Sequence, residues 1–282
     1  MLYGLIVLLL ASLCWAGLDA LRKYLVQYIA PLTLTAALCA GQSILFLILF
    51  AYNHHAVPSP SYWSIGVLCS TIALFAALGL NWSLRLSPLS QSIPMLSLTP
   101  AFAIINGSIL LDESLSTIQM IGIVFSALGA AGFGLEKGWS KAKGAYIMIG
   151  VAFLFSLTMA LDKLALSYAD ITAHALFQSS LITCALGLYL LITNRMAEVR
   201  VLWKSKKAYI CSVVLFTLAV ALQLEAVQYL NISLLEAGKR CVGLFSSIIV
   251  GMYFFSETIS TKKILSGVSL AVGVCFLLLF AN

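Results

Sequence analysis

Two short segments, LLDESLST at residues 110–117 and FFSETIST at residues 254–261, end two long apolar runs that are 144 residues apart. The same offset superposes Glu113 on Glu257, and an offset of 140 residues superposes Lys23 on Lys163. Further superposed pairs are Gly4 and Gly144, Tyr28 and Tyr168, Leu80 and Leu224, and Gly107 and Gly251. The chain therefore repeats itself internally, which is typical of several transporter architectures.

The composition around these segments is that of a membrane protein. Hydrophobic residues make up 62% of the 282 residues and charged residues only 9%, which leaves too little polar surface for a soluble domain. Apolar runs of about 18–23 residues recur along the chain, and each can cross a hydrocarbon core of roughly 30 Å as a helix. Ten helices are predicted, at residues 3–25, 32–52, 62–84, 89–110, 117–135, 144–166, 172–193, 207–229, 232–255 and 263–280.

The repeat and the helix count together predict the architecture. Residues 1–136 form the first unit and residues 143–282 the second, with five helices in each. Because five is odd, the second unit enters the membrane from the opposite side. We therefore predict an all-α membrane protein of ten transmembrane helices, arranged as two inverted five-helix repeats with a substrate path between them. We expect a monomer to be sufficient for function.

The basic residues are distributed unevenly over the connections. Thirteen of the sixteen Lys and Arg residues lie at or near the connections that follow helices 1, 3, 5, 7 and 9, whereas both termini and the other connections have none. The positive-inside rule places the basic side in the cytoplasm and both termini outside. We expect an integral multi-pass protein of the plasma membrane. In a cell with two membranes, this is the inner one.

The residues resemble the drug/metabolite transporter superfamily with tandem EamA-type domains, over essentially the whole chain. The resemblance rests on Trp15-Ala16 late in the first helix and on the two segments LLDESLST and FFSETIST. The family's acidic residue at the end of the fourth helix of each half corresponds to Glu113 and Glu257. The resemblance implies transport by two related halves, and it implies cytoplasmic termini, opposite to the charge distribution.

The ninth apolar run contains three charged residues, Glu236, Lys239 and Arg240, whose spacing puts them on one helical face. A charge at the bilayer centre costs at least ~2.5–3.5 kcal/mol on insertion scales, so such residues usually face a cavity or a partner. One acid cannot neutralise two bases, and the excess positive charge predicts a site for a phosphate or a carboxylate. Snorkelling of the bases or an interhelical salt bridge is the alternative.

The Lys-Arg pair also resembles the one that binds phosphate in the ninth helix of sugar-phosphate and triose-phosphate translocators. That resemblance implies the same role for Lys239 and Arg240. Glu236 departs from the pattern, because a carboxylate one turn before the pair weakens a site for a multiply charged anion. A zwitterion, or a substrate coupled to a proton on Glu236, fits the sequence better.

The fourth and ninth helices share a predicted weak point, since Pro94 superposes on Gly238. Paired helix interruptions indicate a midplane binding site in repeat transporters. Proline kinks also occur in membrane helices without any ligand, so both interpretations are open.

Glu225 lies deep in the eighth helix and superposes on Asn81 in the third. A buried, unpaired Glu suits a proton carrier, so Glu225 and Glu236 are the candidates for a coupling proton. A salt bridge from Glu225 to the bases of the ninth helix is the alternative. The remaining predicted substrate-binding residues are Asn81, Gln223, Asp19, His174, Gln178 and Trp15.

Four charged residues near helix ends are interpreted as anchors at the membrane interface, namely Arg22, Lys23, Asp162 and Lys163. The seven cysteines lack the close spacing of a metal site and are interpreted as small buried hydrophobes. No metal site and no cofactor is predicted.

The sequence contains no phosphate loop, no HExxH and no GxSxG segment, so an enzyme or an ATP-driven pump is not expected. We predict a secondary active transporter of a small polar organic metabolite, anionic or zwitterionic, that works by alternating access and is driven by an ion gradient or by exchange. Its expected partners are that metabolite, a proton or a counter-substrate, and membrane lipid, but no nucleic acid. The alternatives are an exporter of hydrophobic or cationic compounds and a flippase for lipids or lipid-linked sugars.

Overall fold

The computed structural model of the protein describes residues 2–53, 57–112 and 143–256, together with residues 117–118, 121–122, 125, 261, 265, 267–269 and 271–272. Every regular element in these residues is helical, so the predicted all-α class is confirmed for them. The α-helices are α1 Leu2–Leu25, α2 Pro31–Asn53, α3 Tyr62–Leu86, α4 Leu89–Met95, α5 Thr99–Leu111, α6 Lys143–Ala165, α7 Ile171–Ile192, α8 Lys206–Tyr229 and α9 Ile232–Phe255. Short 3-10 helices occupy Leu96–Leu98 and Met196–Ser205.

Eight of the ten predicted spans fall on these helices, with α4 and α5 together occupying the fourth. The predicted fifth and tenth helices, residues 117–135 and 263–280, lie outside the described residues apart from single positions, and so do Glu113 and Glu257. The count of ten therefore stays a prediction.

Seven segments of the described residues are long and apolar enough to cross a membrane. They are Leu2–Leu25, Pro31–Tyr52, Tyr62–Leu86, Leu89–Leu111, Lys143–Ala165, Ile171–Ile192 and Met196–Tyr229. The 24-residue helix α9 is not among them, and it is the helix that carries Glu236, Lys239 and Arg240.

The outer surface of the helices is apolar. Ile48 on α2, Phe75 on α3 and Leu188 on α7 are each more than half exposed. Water would oppose such exposure by about 25 cal/mol per Å² of apolar surface, and extended apolar surfaces of this kind mark membrane or protein contacts. This surface suits contact with lipid.

The fourth predicted span is broken into α4, a 3-10 turn and α5, and the sequence explains why. Pro94 and Pro100 lack an N–H, so each removes one backbone hydrogen bond of a continuous helix. Pro100 would have bonded the carbonyl of Leu96, and the hydroxyl of Thr99 donates to that carbonyl instead. The predicted interruption of the fourth helix is therefore present, but it lies just after Pro94, at Leu96–Leu98.

Helix α9, in contrast, runs unbroken through Gly238. A Cβ atom on Gly238 would lie 2.7 Å from Cδ2 of Leu8, so this glycine permits close packing of α9 on α1. The prediction of a weak point at Gly238 is wrong, because the missing side chain serves helix packing and not helix bending.

The helices pack in two equivalent sets. Helix α1 packs on α8, and its repeat counterpart α6 packs on α3, the counterpart of α8. A Cβ on Gly4 of α1 would lie 3.0 Å from Cβ of Tyr229, and a Cβ on Gly144 of α6 would lie 2.9 Å from the carbonyl oxygen of Ser83. The two superposed glycines thus allow the same close approach in both sets.

Hydrogen bonds show which of the connections lie at the same end of the helix bundle. The backbone N–H of Ser59, after α2, donates to the carbonyl of Tyr168, after α6, at 3.1 Å. At the other end, Lys23 donates to the carbonyl of Ser87, after α3, at 2.7 Å. The connections after α2 and α6 therefore meet at one end, and the C-terminal ends of α1 and α3 meet at the other.

Candidate functional site

A cavity of about 90 Å³ lies between the helices of the two halves. This volume is well above the roughly 10–15 Å³ that one enclosed water requires, so a small solute has room. Its lining comes from α1, α2 and α3 on one side and from α6, α7, α8 and α9 on the other. The polar lining residues include Ser12, Trp15, Asp19, Arg22, Gln42, Thr158, Asp162, Gln178, Ser179, Gln223, Lys239 and Arg240.

The three charged side chains of α9 form one buried, hydrogen-bonded group. Lys239 contacts one carboxylate oxygen of Glu236 and donates to Oε1 of Gln223 on α8 at 2.7 Å. Arg240 donates to the other carboxylate oxygen of Glu236 at 3.1 Å. Glu236 is completely buried, whereas Lys239 and Arg240 line the cavity. Glu236 therefore pairs with both bases on the side away from the cavity, and Lys239 and Arg240 remain at the cavity wall. Neither base extends to the membrane surface, so the snorkelling alternative is wrong.

Arg22 also lines the cavity, at 3% exposure. Its Nη1 lies 3.4 Å from Oδ1 of Asp19, and its guanidinium carbon lies 5.5 Å from the ring centre of Trp15 and 4.9 Å from that of Phe216. These are an ion pair and two cation–π contacts. The interpretation of Arg22 as an interface anchor is wrong, because the chain beyond it, including Val26, is itself buried in the core.

Asp162 is a second cavity residue that was interpreted as an anchor, and that interpretation is also wrong. Its Oδ1 lies 2.9 Å from Sγ of Cys69, 2.9 Å from Nε2 of His174 and 3.2 Å from Nε2 of Gln178. The hydroxyl of Tyr62 lies 2.9 Å from the other ring nitrogen of His174. The predicted pair His174 and Gln178 therefore meets at Asp162, and only Gln178 of the two lines the cavity.

Arg22 and Asp162, the two missed residues, occupy equivalent positions of the repeat. The 140-residue offset superposes Arg22 on Asp162, so one half places a base and the other an acid at equivalent positions of the lining. The residues that follow them, Lys23 and Lys163, instead donate hydrogen bonds at the ends of other helices. Lys23 donates to two carbonyls at the end of α3 at 2.7 Å each, and Lys163 to a carbonyl just after α8 at 3.3 Å. Both lysines bind backbone carbonyls and are not simple interface anchors.

Four predicted site residues do not line the cavity: Glu236 and His174, which are bonded to residues of the lining, and Glu225 and Asn81. Glu225 is half-buried and accepts a hydrogen bond from the hydroxyl of Tyr3 at 3.3 Å, and within the described residues it has no ion pair with the bases of α9. Asn81 is buried and donates to Oγ1 of Thr35 at 2.8 Å, while its own Oδ1 has no hydrogen-bond partner in the described part of the chain. Asn81 therefore ties α3 to α2, and Glu225 lies beside the first turn of α1.

The formal charges around the cavity cancel when both halves are counted. The bases are Arg22, Lys239 and Arg240, and the acids are Asp19, Asp162 and Glu236. The excess of positive charge that α9 predicts by itself is offset by Asp19 and Asp162. The site therefore offers both signs of charge to a ligand.

Three buried side chains beside the cavity could hold a metal ion. Cys69, Asp162 and His174 each offer one ligand atom, and these atoms all lie within 4.8 Å of one another. The prediction that the cysteines are small buried hydrophobes is wrong for Cys184 and Cys211, which are exposed. Cys69 is buried as predicted, but it has a polar contact with Asp162 that a small hydrophobe would not make.

Comparison with known proteins finds a family match in the first half of the chain. Residues 2–135 match the model of the EamA-like transporter family. A search of curated proteins finds no significant match. A solved structure described only as "Crystal structure of protein" superposes with a TM-score of 0.73 at 14% sequence identity, over 99% of this chain and 97% of that chain, which shows a shared fold.

The resemblance predicted from the sequence is therefore confirmed for residues 2–135, which match the EamA-like transporter family. Together with the seven apolar helices, this match supports an integral multi-pass membrane protein.

Proposed function

We propose, from the EamA-like transporter domain and the central cavity, that this protein is a secondary transporter of the drug/metabolite superfamily that moves a small zwitterionic metabolite by alternating access. The observation that carries the proposal is a cavity between the two halves whose lining holds both acids and bases. The family match favours a transporter over an enzyme.

Two inverted five-helix repeats, residues 1–136 and 143–282, are the architecture that we propose for this transport. The cavity lining contains superposed residues from both halves, among them Trp15 with Phe155 and Leu80 with Leu224. The family match ends at residue 135, beside the proposed boundary. A two-fold relation through the cavity would let one half rock against the other around a fixed site.

A zwitterion suits the charges of the site better than a multiply charged anion. Arg22, Lys239 and Arg240 offer N–H donors to a carboxylate or a phosphate, and Asp162 offers an oxygen to an amine. Because the acids already offset the three bases, a ligand with both charges leaves no buried charge unpaired. A multiply charged anion would add negative charge that the site does not balance.

Trp15 supports a ligand between the bases. Its ring centre lies 5.5 Å from the guanidinium carbon of Arg22 and 5.8 Å from Nζ of Lys239. The ring therefore contacts a base from each half of the chain. Its indole N–H is buried and has no hydrogen-bond partner among the described residues. An unused buried donor at a cavity wall suits a ligand acceptor.

The two candidates for a coupling proton differ in their surroundings. Protonation of Glu236 would remove the partner of both Lys239 and Arg240, which opposes proton uptake there. Glu225 accepts a hydrogen bond from the hydroxyl of Tyr3 and, among the described residues, is not the partner of Lys239 or Arg240. We therefore propose Glu225 as the coupling residue if a proton drives transport, and substrate exchange as the other source of energy.

Transport by purified protein in proteoliposomes tests the proposal. A thermal-shift screen first selects the metabolite, since a ligand that binds the folded state raises the apparent melting temperature. Saturable uptake of that compound should then fall about 10- to 100-fold in Lys239→Ala, because a hydrogen bond to a charged group is worth ~1.5–3 kcal/mol and about 1.4 kcal/mol corresponds to tenfold.

The matched control is Lys206→Ala, which removes an exposed lysine at the start of α8. This variant should transport at the unchanged rate. If Lys239→Ala transports as well as Lys206→Ala, or if only lipids or hydrophobic cations raise the melting temperature, the proposed substrate class is wrong.

A further inference from the structure

Cys69, Asp162 and His174 come from three different helices, α3, α6 and α7, and all three side chains are buried. Oδ1 of Asp162 lies 2.9 Å from both Sγ of Cys69 and Nε2 of His174. The three atoms surround one point between the helices, because no two of them are more than 4.8 Å apart.

One sulfur, one imidazole nitrogen and one carboxylate oxygen are the ligands that Zn²⁺ and related transition-metal ions use in proteins. Tetrahedral Zn²⁺ with bonds of about 2.0–2.3 Å would separate such ligand atoms by roughly 3.4–3.6 Å. The two distances of 2.9 Å to Asp162 would have to open by roughly half an ångström to reach that separation. Side-chain rotation can supply a change of this size without movement of the helices.

The charges favour a divalent ion at this point. Bound as a thiolate, a carboxylate and a neutral imidazole, the three ligands carry two negative charges and cancel the charge of the ion. Binding replaces the S–H bond of Cys69 by a metal–sulfur bond, and the thiol proton leaves to solvent. A neutral assembly avoids the cost of an unpaired charge in a buried place.

The neighbours of the three ligands resemble an outer shell around a metal site. The hydroxyl of Tyr62 lies 2.9 Å from Nδ1 of His174 and the carboxylate of Asp162 lies 2.9 Å from Nε2, so both ring nitrogens have a partner. When a metal binds at Nε2, the ring proton moves to Nδ1, where the Tyr62 oxygen can accept it. Nε2 of Gln178 donates to Asp162 at 3.2 Å and fixes the carboxylate.

We propose that Cys69, Asp162 and His174 bind one divalent transition-metal ion of the Zn²⁺ class, with its fourth position directed at the central cavity. The direction follows from the lining, because Asp162 and Gln178 border the cavity whereas Cys69 and His174 lie behind them. Three protein ligands and one open position are typical of sites that bind an exchangeable ligand at the metal.

Cobalt titration of the full-length protein, purified without a histidine tag and without chelators, tests the site. Co²⁺ replaces Zn²⁺ in such sites and has a charge-transfer band when a thiolate binds it. We expect this band together with the intense visible bands of tetrahedral cobalt, and we expect added Zn²⁺ to remove both.

Cys69→Ser is the decisive variant, since a serine hydroxyl can keep the hydrogen bond to Asp162 but supplies no thiolate. The charge-transfer band should disappear in Cys69→Ser and should remain in the matched control Cys184→Ser, which changes an exposed cysteine of α7. His174→Gln should weaken cobalt binding at least tenfold, as loss of one ligand requires.

The proposal is overturned if wild-type protein shows no thiolate–cobalt band, or if the band is equally strong in Cys69→Ser. Zinc content of the purified protein gives a second measurement, and it should be lower in Cys69→Ser than in Cys184→Ser. Because none of these measurements uses transport, the metal site and the proposed function can fail independently.

Discussion

The fourth span and α9 occupy equivalent places in the repeat, but they are built in different ways. The fourth span contains no Lys, Arg, Asp or Glu between Leu89 and Leu111, and it is broken after Pro94 into two helices joined by a 3-10 turn. Helix α9 is continuous over 24 residues and carries three buried charges in one hydrogen-bonded group.

The difference teaches that, of these two equivalent elements, the fourth span supplies an irregular backbone and α9 supplies charged side chains. Glu236 of α9 superposes on Ser92 of α4, and Lys239 and Arg240 superpose on Met95 and Leu96. A straight helix with a regular hydrogen-bond ladder can keep three charges on one face at fixed spacing. A broken helix gives up that regularity, and here it holds only apolar and uncharged polar side chains.

The largest expected effect comes from removing the acid of α9. Glu236→Ala should destabilise the protein by ~3–5 kcal/mol, because it leaves Lys239 and Arg240 buried without their anion. Ser92→Ala, at the equivalent position of α4, should change stability little, since Oγ of Ser92 has no hydrogen-bond partner among the described residues. Thermal unfolding in detergent measures both, and equal melting temperatures would contradict the comparison.

The second-largest effect on stability is expected at Lys23 of α1, and its superposed counterpart Lys163 of α6 should contribute less. Lys23→Ala should cost ~1.5–3 kcal/mol, because Lys23 donates two hydrogen bonds of 2.7 Å to carbonyls at the end of α3. Lys163→Ala should cost less, since the hydrogen bond of Lys163 to Leu230 is 3.3 Å long. The same unfolding measurement ranks the two variants, and the reverse order would show that the backbone contacts do not decide their contributions.

A smaller effect is expected at Gly238. Gly238→Ala should cost ~1–3 kcal/mol by overpacking, because its Cβ would lie 2.7 Å from Cδ2 of Leu8. In Gly243→Ala of the same helix the nearest atom, Cγ2 of Ile93, would be 3.8 Å away, so this control should be tolerated. The second change Leu8→Ala should restore part of the loss in Gly238→Ala but not improve the control.

The smallest effect is expected at Pro94. Pro94→Ala restores one N–H and should stabilise the protein by no more than the ~0.5–1.5 kcal/mol of one hydrogen bond. The break should remain, because Pro100 still removes the N–H that would bond Leu96 and Thr99 still occupies that carbonyl. Amide hydrogen exchange around residues 96–98 should stay as in the wild type, and strong new protection there would show that Pro94 alone causes the break.

The helices could be predicted closely from the sequence, whereas the site could be predicted only in part. The ninth predicted helix has the bounds of α9, because the length of an apolar run and its polar ends are local properties. The shared face of Glu236, Lys239 and Arg240 follows from helical spacing alone. The roles of Arg22 and Asp162 in the cavity could not be predicted from spacing, because each residue lies near the end of its helix, where a charged side chain usually reaches water.

The sequence by itself determined a helical membrane protein with an internal repeat and a charged face on its ninth helix, since composition, run length and spacing act over a few helical turns. Only the tertiary structure decided that Asp19, Arg22 and Asp162 join that face around one cavity and that Glu225 does not. The physical reason is that these charges stand on helices far apart in sequence. Their meeting depends on how α1, α6 and α9 pack, and no local pattern records that packing.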